Sequence, residues 1–290
     1  MSTPSKPPKS DQGRRFAPRV PFEEYKERFK EFFNLKRENG IIEVRAHTRG
    51  GEVQWSREVH EGWGRIFQFV GADPENEVMI ITGTGEHWIA GMDKVTMASM
   101  VEKAEANPKA FAEDTYDGWY VDGSRLLEAL LWDIPIPTIG AINGPGMHTE
   151  FPLLCDLTIC TADTQFFEAH MPIGVAPGDG QFLVWQQLLG LKKANYFMLT
   201  GEPIDAKSAL EWGLVNGVVP REELIPRAWE LAEVMMKQPR VVRRLTSQLM
   251  KRPWRRLFTE DFNMHFAHEC FAVNVTGMGR ANPGPSSKKD

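Results

Sequence analysis

The stretch "IPTIGAINGPGMHTEFPLLCDLTICTAD", Ile136 to Asp163, decides the fold. Two apolar runs within it, "IPTIGAING" and "DLTICTAD", are each continuous enough to lie in a sheet covered on both sides. Between them a Gly144-Pro145-Gly146 turn leads into a helix start that carries His148 and Glu150. Ionisable groups at a place so ready for burial need a structural partner or a chemical task. On spacing alone His148 reads equally as a capping or solvated residue and as a functional one, and Glu150 as a first-turn acid suited to the helix dipole. Asp156 reads as a structural acid opening the next strand.

Working outward, "GIIEVRAHT" (Gly40 to Thr48) and "EVMIITGTG" (Glu77 to Gly85) predict two more strands. Between them a helix is expected with Trp63, Ile66, Phe67 and Val70 on one side, and "SRLLEALLWD" has the 3.6-residue repeat of another. From about Gly180 the pattern is mostly helical, through "QFLVWQQLLG", "KANYFMLTG", "DAKSALEWG" with Gly213 as a stop, "REELIPRAWELAEVMMKQ" and a last segment from Trp254 to about Val275. Strands alternating with helices make the chain α/β. The opening stretch is rich in Pro, Ser, Lys and Arg and the closing one is similar, so residues 1–20 and 279–290 are expected to be disordered tails.

With 290 residues and a formal net charge of -5, the chain has room for one substantial core and no basic field for nucleic acid. No apolar run reaches the ~20 residues needed to cross a bilayer, and no secretory signal is read at the N-terminus, so a cytoplasmic protein is expected. Cys155, Cys160 and Cys270 lack metal-ligand spacing and read as buried reduced thiols. His265 and His268 have helical spacing for a metal pair, but no carboxylate or cysteine pattern supports a site, so no metal is expected.

Chemistry enters at "TGTGEHWIAGMD", Thr82 to Asp93, where a strand ends in glycines that let consecutive N–H groups face one spot, as an oxyanion hole needs. Alone it is an ordinary tight turn; the same geometry at "INGPGMH" makes a pair of donor turns. These two motifs, with "GVAPGDG" and "LTGEPIDAKSALEWGLVNGVV", resemble the crotonase (enoyl-CoA hydratase/isomerase) superfamily across about Gly40 to Met278. The resemblance implies a spiral of β-β-α units over 21–215, a helical C-terminal trimerisation region over 216–278, a homotrimer or dimer of trimers, and oxyanion-hole amides on Met92 and Met147. It also implies paired glutamates in a hydratase; one matches Glu150, but the other falls at His170. A single carboxylate cannot do paired acid and base work. Where acyl-CoA members carry a motif of the type R-P-x-x-x-N-A-L, this chain has "RGGEVQWSREVHE".

Within the superfamily the chain most resembles the 6-oxocamphor hydrolase and β-diketone hydrolase group, which cleaves carbon–carbon bonds between two carbonyls without CoA. The resemblance carries over to Trp55, His60, His148, His170, Asp179 and Glu269. It implies His170 as the base that activates water, Asp179 as its orienter, and Trp55 and His148 as N–H donors to one carbonyl oxygen. His60 would donate to or orient the substrate, and Glu269 would relay a proton or hold a partner in place. Periodicity alone would make Glu269 a solvated helical acid and Trp55 a core or interface aromatic. The expected reaction is hydrolysis of a small apolar β-diketone to a keto acid with no metal, nicotinamide or CoA, and pocket walls are expected from Lys94 to Tyr120. Two rivals are a CoA-thioester hydratase, isomerase or lyase, and a non-catalytic crotonase scaffold.

Overall fold

The sheet begins at Asn39-Gly40. Both residues are left-handed (φ 50 and 84), as a two-residue hairpin turn requires, and they join strand β1 (Phe33–Glu38) to β2 (Ile41–Ala46) in a register that pairs Glu38 with Ile41 and Phe33 with Ala46. The computed structural model describes residues 20–276, so the two expected tails lie outside the described residues apart from Val20. Eight further strands follow: β3 (Gln54–Trp55), β4 (Val78–Thr82), β5 (Gly91–Met92), β6 (Thr138–Ile142), β7 (Leu157–Thr161), β8 (Gln165–Phe166), β9 (Ile204–Asp205) and β10 (Gly217–Val219). Six form one sheet in the order β1-β2-β4-β6-β7-β10, parallel throughout beyond the hairpin. Strands β3 and β5 pair parallel in a second small sheet, and β8 and β9 pair antiparallel.

The helices are α1 (Phe22–Phe29), α2 (Arg57–Ala72), α3 (Lys94–Ala106), α4 (Pro108–Thr115), α5 (Arg125–Glu128), α6 (Glu150–Leu153), α7 (Gln181–Leu189), α8 (Leu191–Thr200), α9 (Ala206–Glu211), α10 (Leu224–Met236), α11 (Arg240–Met250), α12 (Arg252–Leu257) and α13 (Asn263–Thr276). The chain therefore runs β2-β3-α2 and then β4-β5-α3, the β-β-α repeat expected of the spiral. All five positions of β4 and of β6 are buried, which is why both read as unbroken apolar runs. Leu224, Ala228 and Ala232 of α10 cover one face of the sheet against Ile80, Ile139 and Ile159. Trp63, Ile66, Phe67 and Val70 of α2 lie in the core on the other face, as their spacing predicted.

Some elements differ from the sequence reading. The helix expected over "SRLLEALLWD" is one α turn, α5, that widens into a π-helical segment at Ala129–Asp133. Two more π-helical segments lie at Tyr116–Val121 and Phe258–Phe262; such widened turns recur at functional sites. Strands β1 and β10 and helices α1 and α11 were not anticipated. Asp156 has the structural place expected of it: its Oδ2 accepts from the Thr138 amide (2.9 Å) and the Ser247 hydroxyl (2.8 Å), tying β6 and α11 to the entry of β7.

Candidate active site

The two glycine turns meet each other. A Cβ on Gly144 would lie 1.7 Å from the Glu86 carbonyl oxygen and one on Gly146 2.5 Å from the Ile89 nitrogen, so only glycine lets the β6 turn lie against the β4–β5 loop. The Trp88 amide donates to the Pro145 carbonyl (3.0 Å) and the Met147 amide to that of Ile89 (3.3 Å). Of the two expected oxyanion donors, Met147 therefore already holds a long internal bond. Packing of these turns delivers His148 in a left-handed backbone conformation (φ 55), with its carbonyl accepting from Trp88 Nε1 at 3.0 Å. The helix that follows, α6, spans only four residues, so the chemistry here belongs to the His148 side chain and not to a helix dipole.

Other elements bring the remaining groups in. Ser56 caps α2 by accepting from the Val59 amide (3.3 Å), which puts Trp55 just before the helix and His60 in its first turn. His170 precedes a 3₁₀ turn, Met171–Ile173, and Asp179 precedes α7, where its Oδ1 accepts from the Gln181 amide (3.3 Å). Helix α13 lies directly on Gly178, whose amide donates to Glu269 Oε2 (3.2 Å). Trp55, His60, His148, His170, Asp179 and Glu269 line one cavity of about 40 Å³ together with Met92 and Met147. The apolar wall includes Met100, Trp119, Val175 and Phe266; Met100, Thr115 and Trp119 come from the stretch expected to supply it. Glu150 is not among the lining residues.

The ionisable groups form a chain of alternating sign. Glu168 Oε1 lies 3.0 Å from His170 Nδ1, His170 Nε2 lies 3.2 Å from Asp179 Oδ2, that oxygen lies 2.9 Å from His148 Nδ1, and His148 Nδ1 lies 3.1 Å from Glu150 Oε1. Two findings depart from expectation here. Asp179 serves both imidazoles rather than His170 alone, and His170 has a second carboxylate, Glu168, on its other nitrogen. Glu150, expected to lack its usual glutamate partner, has His148 against its Oε1 instead. Glu168 was missed; its E-x-H spacing ahead of a tight turn was the available signal.

Burial alone would lower both imidazoles, but the flanking charges outweigh it. Glu150 and Asp179 raise His148 to about 9, and Asp179, Glu168 and Glu269 hold His170 well above the usual histidine range. Burial would raise Asp179, yet the two imidazoliums keep it well below the ordinary carboxylate range. Burial, and then the Asp179 charge, raise Glu269 to about 8. Burial, with the His148 charge, lowers His60 to about 3, leaving it neutral, edge-on to Trp55 at 5.2 Å and to Trp119 at 5.4 Å between ring centroids. Trp55 stacks on His148 at 4.2 Å. The only group among the described residues with the geometry of three metal ligands is His148, His170 and Asp179, whose ligand atoms lie within 4.8 Å of one another. His265 and His268 are not part of it, and the three cysteines are buried and free.

Comparison with known proteins agrees with this architecture. A family model for enoyl-CoA hydratase/isomerase matches residues 36–272. Carnitinyl-CoA dehydratase of Citrobacter koseri is 32% identical over 177 residues, 60% of this chain and 62% of its own length. Hydroxycinnamoyl-CoA hydratase-lyase of Pseudomonas fluorescens is 30% identical over 189 residues, 64% and 66% of the two chains. This chain thus spans less than two thirds of either relative. Among solved structures, ABDH, a β-diketone hydrolase of the cyanobacterium Anabaena bound to (S)-3-oxocyclohexyl acetic acid, superposes with a TM-score of 0.79 at 32% identity, covering 87% of this chain and 97% of its own. An enoyl-CoA hydratase/isomerase from Mycobacterium paratuberculosis, at TM-score 0.75 and 20% identity over 86% and 96% of the chains, shares the fold. From the β1 strand to the α13 helix, then, the chain belongs to the enoyl-CoA hydratase/isomerase family, the crotonases.

Proposed function

We propose that the protein hydrolyses a carbon–carbon bond of an apolar β-diketone, a retro-Claisen cleavage giving a keto acid. The observation that carries this reading is the content of the cavity: three imidazoles and the Trp55 indole around Asp179 and Glu269, with Glu150 turned behind His148. Such a site polarises carbonyls and moves protons but lacks the facing glutamates of a hydratase. Likeness to ABDH, whose bound ligand is itself a keto acid, supports it.

The chemistry follows from the geometry. His148 Nδ1 is taken by two carboxylates, so Nε2 is the nitrogen left for substrate, and with Trp55 it donates to one carbonyl oxygen. The Met92 and Met147 amides support developing negative charge, Met147 by exchanging its bond to Ile89. Water held against the neutral form of His170 gives its proton to Nε2, where the Asp179 charge stabilises the imidazolium that forms, and the hydroxide adds to one carbonyl carbon. The carbon–carbon bond then breaks and its electron pair passes into the enolate of the second carbonyl. Glu269, neutral at pH 7, protonates the enolate carbon and is recharged from the His170 imidazolium, so the net change is addition of one water. No step draws on a metal, nicotinamide or CoA.

The test is incubation with cyclic and linear β-diketones in H₂¹⁸O, followed by mass spectrometry. A keto acid carrying one ¹⁸O, lost in His170→Ala and Asp179→Asn, is expected. A second reading, a CoA-thioester hydratase or lyase, is favoured by the two relatives. Turnover of CoA thioesters with no attack on any free diketone would establish it instead.

A further inference from the structure

We infer that Glu168 is a positioning residue that fixes the His170 imidazole with Nδ1 protonated and Nε2 as its proton-exchanging atom. This rests on the hydrolase reading for its catalytic meaning, but its structural content is independent of substrate.

Glu168 is 3% exposed, and both its oxygens are spent on the His170 turn. Oε1 accepts from the His170 amide (2.5 Å) and faces His170 Nδ1 (3.0 Å), while Oε2 accepts from the Met171 amide (2.8 Å). One carboxylate thus holds the backbone and the ring of the same residue, leaving the ring little freedom to turn. An ionised carboxylate only accepts, so Nδ1 must carry the proton. Any proton the ring gains or loses is then at Nε2, which faces Asp179 Oδ2 at the cavity. Asp179, whose Oδ2 lies between His148 and His170 without accepting a hydrogen bond from either, is a charge beside this proton and not the group that sets the tautomer.

Every charged or titratable neighbour of the ring acts on this equilibrium. Glu168 comes from its own segment, Asp179 from the turn before α7, His148 from the turn before α6 and Glu269 from α13. Removing the Glu168 charge while keeping its shape should lower the proton affinity of His170, moving its titration down by about one pH unit, the size expected for one charge-assisted hydrogen bond.

The experiment is ¹H–¹⁵N NMR of imidazole-labelled wild-type protein through an alkaline titration, with Glu168→Gln beside it. The expected result is loss of the His170 proton from Nε2, with Nδ1–H retained, and a downward shift of the titration in Glu168→Gln. Loss from Nδ1 overturns the inference, as does an unmoved titration in a folded Glu168→Gln protein. Because Glu168 also holds two amides, that variant can perturb the turn; the wild-type tautomer alone then decides. If the tautomer is as stated but no β-diketone is cleaved, the function reading fails while the positioning role stands. If diketones are cleaved and the tautomer is reversed, the positioning role fails alone. In an active enzyme, Glu168→Gln should also move the acid limb of the kcat profile by the same amount with KM little changed.

Discussion

His148 sits at φ 55, a backbone region that costs a non-glycine residue of order 1–3 kcal/mol, and the packing of two glycine turns holds it there. If its Nε2–H polarises the scissile carbonyl, His148→Ala should lower kcat about 10²–10³-fold with the circular dichroism spectrum unchanged. The same proton gives a pH dependence. His148 is held at about 9 and Glu269 at about 8, so donor and acid are both present at neutrality, and kcat should fall as pH rises through 8 to 9. Stability should follow in the same direction. A histidine raised above its ordinary value of 6.5 contributes fully below 6.5 and loses that contribution as pH rises through 9, while Glu269 begins to oppose folding above its ordinary carboxylate range. A thermal midpoint measured in steps from pH 6.5 to 9.5 should decline; a flat profile would remove the charged assignment of His148.

At the scale of elements, β6 and α6 touch with no side chain between them: a Cβ on Gly140 would stand 2.4 Å from the Pro152 carbonyl oxygen. Gly140→Ala should therefore destabilise by about 1–3 kcal/mol, read as a lower urea midpoint at constant m-value, and should disturb the turn that carries His148. How legible each element was depends on which faces it buries. Strands β4, β6 and β7 were readable because their burial is nearly continuous. Strand β1 has the alternating burial of an edge, with Lys36 and Glu38 outward, and only its Asn39-Gly40 turn advertised it. Helix α11 hides for a physical reason, since it buries Arg243 and Ser247 and exposes Val242, Leu245 and Leu249. Its polar side meets the chain, with Arg243 and Arg244 on Glu77 at 2.6 and 3.2 Å. In the site, all six side chains matched by resemblance line the cavity; Trp55, His148, His170 and Asp179 each sit beside a turn with a recognisable sequence, whereas Glu269, in the middle of α13, is marked only by the resemblance. Glu168 escaped because its importance comes from a fold-back within three residues, which no periodicity records.

Over the whole molecule, the inverted face of α11 fits the trimer expected of the C-terminal region. Val242, Leu245 and Leu249 are 52%, 60% and 71% exposed along one side, and a second copy of the chain is the occupant proposed for them. Light scattering on the purified protein should give a multiple of the chain mass, and Leu245→Asp with Leu249→Asp should reduce it; a monomeric parent would remove this assignment. Among the described residues no helix is long and apolar enough to cross a membrane. The cavity has a consequence of its own. At about 40 Å³ it has room for about three or four waters at about 10–15 Å³ each. Its cover, α3 and α4, buries only Met100, Phe111 and Thr115 of its own residues. A cover anchored by so few of its own side chains should open ahead of the sheet, and backbone amides of α3 and α4 should exchange with solvent faster than those of β4 and β6.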